Sequence, residues 1–226
     1  YCNTSSGNLS TISGGIYNAS SGSVSTISGG RCNTSSAYNS TVSGGQCNTS
    51  SGDNSTVSGG YCNTSSGNDS TVSGGYSNTS SGAASTVGGG NLNLSCGSYS
   101  IVSGGRRNTS SGNDSTVSGG NCNTSSGYLS TVSGGYCNVS VGDNSIVGGG
   151  RNNTVTTQYS GIFGGSGNTI CNDFSFIVGY GITTSCPNTT YVNCLSIIDL
   201  PTSSVGLPSK SVYYCPTDLN RIYFVP

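Results

Sequence analysis

The sequence predicts an all-β fold, a parallel β-roll or β-solenoid of twelve 15-residue rungs followed by a small strand-rich C-terminal cap. Three observations predict it. The pattern of Tyr1 to Gly15, YCNTSSGNLSTISGG, recurs in steps of fifteen as far as Tyr180, and so strict a period marks a repeat architecture. In every row Asn holds the third place, Ser the tenth, Val or Ile the twelfth and Gly the fourteenth. Glycines and small polar residues break each row twice, leaving space for two short strands and none for a helix.

Within the first row the elements follow in order. Asn3 to Ser6 reads as one short strand, Gly7 and the two residues after it as a turn, Ser10 to Ser13 as a second strand. Gly14 and Gly15, with the two residues that open the next row, form the second turn. The aliphatic twelfth place must point inward, which puts the tenth inward and the eleventh and thirteenth outward. The third and fifth places also read as inward because they scarcely vary, whereas the fourth accepts Thr, Ala, Leu and Val. Twelve parallel rungs make a rod about 58 Å long. One aliphatic side chain per turn is a thin core, so lateral association into a homo-oligomer, a trimer, is expected.

Three regions follow. Residues 1–150 are regular rows. Residues 151–180 diverge and become more apolar through Val155, Ile162, Phe163, Ile170, Phe174, Phe176, Ile177 and Val178, as terminal capping repeats do, and predict a wider, better-packed end. Residues 181–226 hold all five prolines and form the cap.

Composition narrows the chemistry. The chain has 38 Gly, no His and a net charge of −1, with 6% charged residues. That gives no electrostatic footprint for nucleic acid or an anionic membrane, and no apolar run is long enough to insert in a bilayer. Without His or Glu the usual Ser-His-Asp triad and Glu-based acid/base pairs are missing. We expect no enzyme, no catalytic residue, no cofactor and no metal. The aspartates sit mostly at places eight and nine, where Asp is an ordinary turn former, and no CxxC pair suggests zinc.

Eleven cysteines predict an oxidising, extracellular setting. Cys2, Cys32, Cys47, Cys62, Cys122 and Cys137 all occupy the second place, and Cys186, Cys194 and Cys215 lie in the cap. Stacked rungs bring same-column neighbours within disulfide reach, so Cys47 and Cys62, or Cys122 and Cys137, either pair or line an apolar corner as thiols. An odd total leaves one cysteine for another chain or unpaired. Asn at the third place persists at Asn153 and Asn168, where no glycosylation sequon exists, so the fold needs that Asn for its own hydrogen bonds. Better glycan acceptors are the turn residues Asn8, Asn39, Asn54, Asn68 and Asn113, with Asn188 in the cap. Tyr61, Tyr76, Tyr128 and Tyr136 at turn places are candidate surface contacts, for sugars or for neighbouring chains.

Rows such as Asn63-Thr-Ser-Ser-Gly-Asn-Asp-Ser-Thr-Val-Ser-Gly-Gly75 resemble the head repeats of trimeric autotransporter adhesins, and the resemblance covers residues 1–180. It implies a left-handed parallel β-roll, three of which associate about a three-fold axis. The family's repeats are usually shorter and seldom carry cysteine. The stretch Asp199-Leu-Pro-Thr-Ser-Ser-Val-Gly-Leu-Pro-Ser-Lys-Ser-Val-Tyr213, with Leu219 to Val225 after it, resembles a C-terminal motif of phage and large DNA virus fibre proteins, with Lys210 where Gly is common.

The expected function is that of a structural fibre or filament protein on a virion or other extracellular surface. A glycan- or receptor-binding adhesin is the alternative, and outward Thr11 and Ser13 columns suggest ice binding as a third reading. Tyr1 opens in phase at the first place of a row, so either more rows precede it or copies stack head to tail into a filament, an exposed strand edge being an invitation to pairing.

Overall fold

The computed structural model describes residues 2–193 and, beyond them, the backbone of two strands, Val212–Cys215 and Arg221–Phe224. The chain divides into two compact units, Tyr1–Asn193 and Cys194–Pro226. In the second, the two strands pair antiparallel. Cys194 and residues 199–211 of the fibre-like stretch lie outside the described residues, and Cys215 is described by its backbone alone.

The first unit is an all-β solenoid. Each row contributes two two-residue strands, as at Thr71–Val72 and Thr79–Ser80, and every strand pairs in parallel with its counterpart fifteen residues away, Thr71 with Thr86 and Val72 with Val87. Places four and five build a 12-stranded sheet and places eleven and twelve a 13-stranded one. The two sheets enclose the invariant columns. Val42, Val72 and Val102 have no exposed surface, and neither do Asn48, Ser50 and Ser55 or Asn78, Ser80 and Ser85.

A core in which three of four inward side chains are polar is stable only if every polar group finds a partner. It does so by repetition. The side-chain amide of Asn78 donates to the carbonyls of Gly74 and Gly90, both at 2.9 Å. Its Oδ1 accepts the backbone N–H of Asn93 at 3.0 Å, and its own N–H donates to Oδ1 of Asn63 at 2.9 Å. The hydroxyls of Ser80 and Ser85 lie 2.7 Å apart, and Ser85 Oγ donates to the Gly82 carbonyl at 2.7 Å. Each Asn thereby closes the turn beside it while tying its rung to those above and below.

That closure dictates the glycine at place fifteen. Gly75 has φ +93°, and a Cβ there would stand 2.3 Å from the Gly90 carbonyl oxygen and 2.6 Å from Asn78 Nδ2. Places two and nine are also left-handed but are filled by ordinary residues, among them Val24 at φ 61° and Cys62 at φ 54°. Backbone bonds hold them there: the N–H of Val24 donates back to Asn8 O at 2.8 Å, and that of Cys62 to Gln46 O at 2.9 Å.

Two expectations need correction. The coil does not stop at Tyr180. Tyr180 pairs with Ser166 fourteen residues earlier and opens a thirteenth turn, which ends in the strand Thr190–Val192 beside Phe176–Val178. The twelfth row is one residue short, and the Gly179 carbonyl accepts from Asn168 at 2.7 Å, the role that place fifteen has elsewhere. The apolar rows near the C-terminal end are also not uniformly better packed. Val155 and Ile170 replace Ser at place five and are fully buried, but Phe163 and Phe174 remain outside. Their rings stack along the surface, Phe163 on Phe176 at 6.0 Å and Phe174 on Tyr159 at 5.2 Å. A coil whose inner width is fixed by fifteen-residue turns has no room for an inward Phe.

Candidate functional site

Among the described residues the fold presents a set of columns, each repeated at the rung spacing of about 4.8 Å. Four columns belong to the sheets. Thr predominates at places four and eleven and is half-buried, as at Thr64 and Thr71, while Ser at places six and thirteen is exposed, as at Ser66 and Ser73. The two turns supply the rest: places fifteen, one and two along one edge, places seven to nine along the other.

The tyrosine candidates divide. Tyr61 and Tyr76 stand in adjacent turns with ring centroids 5.3 Å apart and planes 9° from parallel. Tyr136 has the Arg151 guanidinium over its ring at 5.5 Å. These rings therefore turn faces towards their neighbours in the column, and a sugar would meet mainly edges and hydroxyls. Charge on the neighbouring Cys62 thiol raises the Tyr61 hydroxyl above the usual phenol range. Tyr128 lies on the opposite edge, its backbone N–H donating to Asp143 Oδ1 at 2.8 Å.

Cys32, Cys47 and Cys62 occupy three consecutive turns, Cys122 and Cys137 two more, and Cys2 faces Tyr17 rather than another cysteine. All nine cysteines of residues 2–193 are thiols in this structure. Side chains that leave identical backbones in register keep the rung spacing of about 4.8 Å between their Cβ atoms, somewhat more than the roughly 3.5–4.5 Å of a disulfide. Closing a bridge requires two rungs to pinch together. The Cys122 thiol is raised above its ordinary range, first by its hydrogen bond with Cys137, and Arg107 opposes the shift. Cys186 lies exposed in the thirteenth turn. Cys96 and Cys171 belong to the sixth-place column, and Cys171 Sγ donates to the Thr184 carbonyl at 3.1 Å. Among the described residues no group of three His, Cys, Asp or Glu could hold a metal ion, and no helix is long and apolar enough to cross a membrane.

The asparagines fall into two sets. Asn8, Asn39, Asn54, Asn68, Asn113 and Asn188 are all exposed at turns. Several are tied along the edge, Asn39 Nδ2 donating to Asn54 Oδ1 and Asn54 Nδ2 to Asp69 Oδ1, both at 3.1 Å. The third-place asparagines from Asn18 onward are closed to a glycan, because both hydrogens of the amide are already donated inside the coil.

The edges also sort the charges, of which the row pattern alone brings out only the aspartate half. Among the described residues every Arg lies at place one or two (Arg31, Arg106, Arg107, Arg151), and every Asp at place eight or nine. Sorting charges by row position would have revealed it. No protein-family model matches the chain, and no curated protein matches it.

Proposed function

We propose that this chain is a non-enzymatic structural rod, a fibre or filament component of a virion or cell surface that works as an oligomer, a homotrimer, outside the cell. The observation that carries this reading is where the invariance falls. Asn at place three, Ser at ten and Val or Ile at twelve, which the coil uses to build itself, hold in every row, whereas the outward Thr and Ser columns at places four, six, eleven and thirteen each give way in some rows. Thirteen turns at about 4.8 Å make a stiff element roughly 60 Å long, and its core of one aliphatic residue in most turns favours partners alongside. Electron microscopy of the intact particle with light scattering of the purified chain is the test: thin rods of trimeric mass are expected, and a stable, compact monomer would overturn the reading.

One observation favours a second function. The half-buried Thr columns stand in register on flat, uncharged sheets, Thr41, Thr56, Thr71 and Thr86 on one and Thr34, Thr49, Thr64 and Thr79 on the other. Such hydroxyl arrays suit an ordered water surface. Thermal hysteresis at micromolar protein would support ice binding, and its absence would remove it.

A further inference from the structure

The charges of the coil are sorted by edge. Places one and two lie in the turn that follows the second sheet of each row, places eight and nine in the turn between the two sheets, so the two sets run along opposite edges. One edge carries Arg31, Arg106, Arg107 and Arg151, all exposed. The other carries Asp53, Asp69, Asp114 and Asp143, exposed, and Asp173, half-buried. The acidic edge is also fixed in place: Asp53 Oδ1 accepts the Tyr38 N–H at 3.1 Å, Asp143 Oδ1 the Tyr128 N–H at 2.8 Å, and Asp69 Oδ1 the Asn54 amide at 3.1 Å. Opposite charges separated by the width of the coil do little for one another within it.

We propose that copies of this chain pack side by side, the acidic edge of one coil against the basic edge of the next, with their turns at the same height. The register comes from the row positions. Arg31 is in the third turn and Asp53 in the fourth; Arg106, Arg107 and Asp114 share the eighth; Arg151, in the eleventh, has Asp143 one turn below and Asp173 one above. An axial step of one turn is about 4.8 Å, within the sweep of an Arg side chain, so all four arginines find a carboxylate without any shift between copies. The contact is heterologous, because the two edges differ. It closes into a ring if each copy is rotated by a third of a turn, and it runs on as a sheet if copies are only translated. This deepens the proposed function and rests on the reading of the chain as an assembling rod.

The pairing has a covalent corollary. Asn39, Asn54, Asn68 and Asn113 stand on the acidic edge. A glycan on any of them would hold the copies apart, so these acceptors are bare in the assembled particle.

Exposed ion pairs are individually weak and screened by salt, which makes the contact easy to test on the full chain. Two variants are needed: one with Asp53, Asp69, Asp114 and Asp143 each changed to Asn, the other with Arg31, Arg106, Arg107 and Arg151 each changed to Gln. These side chains are exposed, so both variants should retain the wild-type circular dichroism. Sedimentation at low salt should show the unmodified chain assembled, dissociating near 1 M salt where the screening length falls to about 3 Å. Each variant alone should sediment as a single chain. Mixed in equal amounts they should form a pair and nothing larger, since each retains one competent edge. Assembly that persists in both variants, or a mixture that stays monomeric, overturns the edge pairing and leaves the fibre reading in place. An unmodified chain that is monomeric at low salt overturns both.

Discussion

Replacing Asn78 by Ala measures what the asparagine column contributes. The substitution removes two donors and one acceptor from the interior. The Gly90 carbonyl keeps the Tyr76 N–H at 2.9 Å, so two groups are orphaned, the Gly74 carbonyl and the Asn93 N–H. At about 1–3 kcal/mol for each buried group left unpaired, Asn78→Ala should cost roughly 2–6 kcal/mol, a large share of the stability of an ordinary domain. Urea unfolding followed by circular dichroism reads it, with Thr79→Ala on the half-buried outer face as the reference and an expected change within about 0.5 kcal/mol. Asn78→Asp separates hydrogen bonding from volume. It keeps one oxygen as the acceptor for Asn93 but points the other, in place of the amide nitrogen, at the Gly74 and Gly90 carbonyls. The folded coil then disfavours the charged form, and the folded pKa of the new carboxyl lies above the unfolded one. Stability is lost at neutral pH and recovered as pH falls through that folded pKa, when the protonated carboxyl donates to one carbonyl. An Asn78→Ala loss no larger than that of Thr79→Ala, or an Asn78→Asp profile parallel to wild type across acid pH, would refute this account of the core.

Other outcomes follow from the same geometry. Val72→Asp places an unpaired charge where no surface is exposed and should abolish folding, whereas Asp69→Asn at an exposed left-handed position (φ 57°) should be nearly silent in the same melts. Val24 is β-branched at φ 61°; Val24→Gly relieves the steric conflict while keeping the backbone bond to Asn8, and a gain of about 1 kcal/mol in thermal or urea unfolding is expected, a loss counting against strain at that column. Alkylation of Cys122 should set in at higher pH than for an ordinary thiol. Cys137→Ala should bring the onset down and Arg107→Ala should push it higher, as read by mass spectrometry of the modified residue.

Much of this architecture is legible because periodicity and burial coincide. The Asn, Ser and Val or Ile columns that never change do face inward, and Asn153 and Asn168 betray a structural role for the third place because they stand outside any sequon. The thirteenth turn escapes the fifteen-residue frame because Gly179 serves where two glycines usually do, and because Ile182 and Tyr191 stand in for Asn and Val. Its trace is in the sequence as Thr183-Thr-Ser, four residues and then Thr190-Tyr-Val, a row displaced by one. The left-handed columns are invisible for a different reason. Val24 and Arg107 have no preference for positive φ, and each is held there by a backbone hydrogen bond to the preceding rung, to Asn8 O and Asn91 O. The exposed Phe163 and Phe174 mislead for the reason that apolar residues usually do: composition says that a side chain would gain from burial, but only the dimensions of the coil say whether it fits.

Every turn contacts only the turns before and after it, and strand pairing has the same register from row to row, Thr49 with Thr64 as Thr116 with Thr131. The rod is therefore a molecular ruler marked in units of one row. Excising residues 46–60 would lay Thr34 beside Thr64 with the same hydrogen bonds and rejoin the Asn, Ser and Val columns, shortening the rod by about 4.8 Å. Loss of a number that is not a whole multiple of fifteen would leave one misfitted turn for the coil to absorb, as the fourteen-residue row before Tyr180 is absorbed. In the gene, whole-row gains and losses by recombination between near-identical repeats are thus structurally silent, and the reach of the rod can be reset without redesigning a single contact.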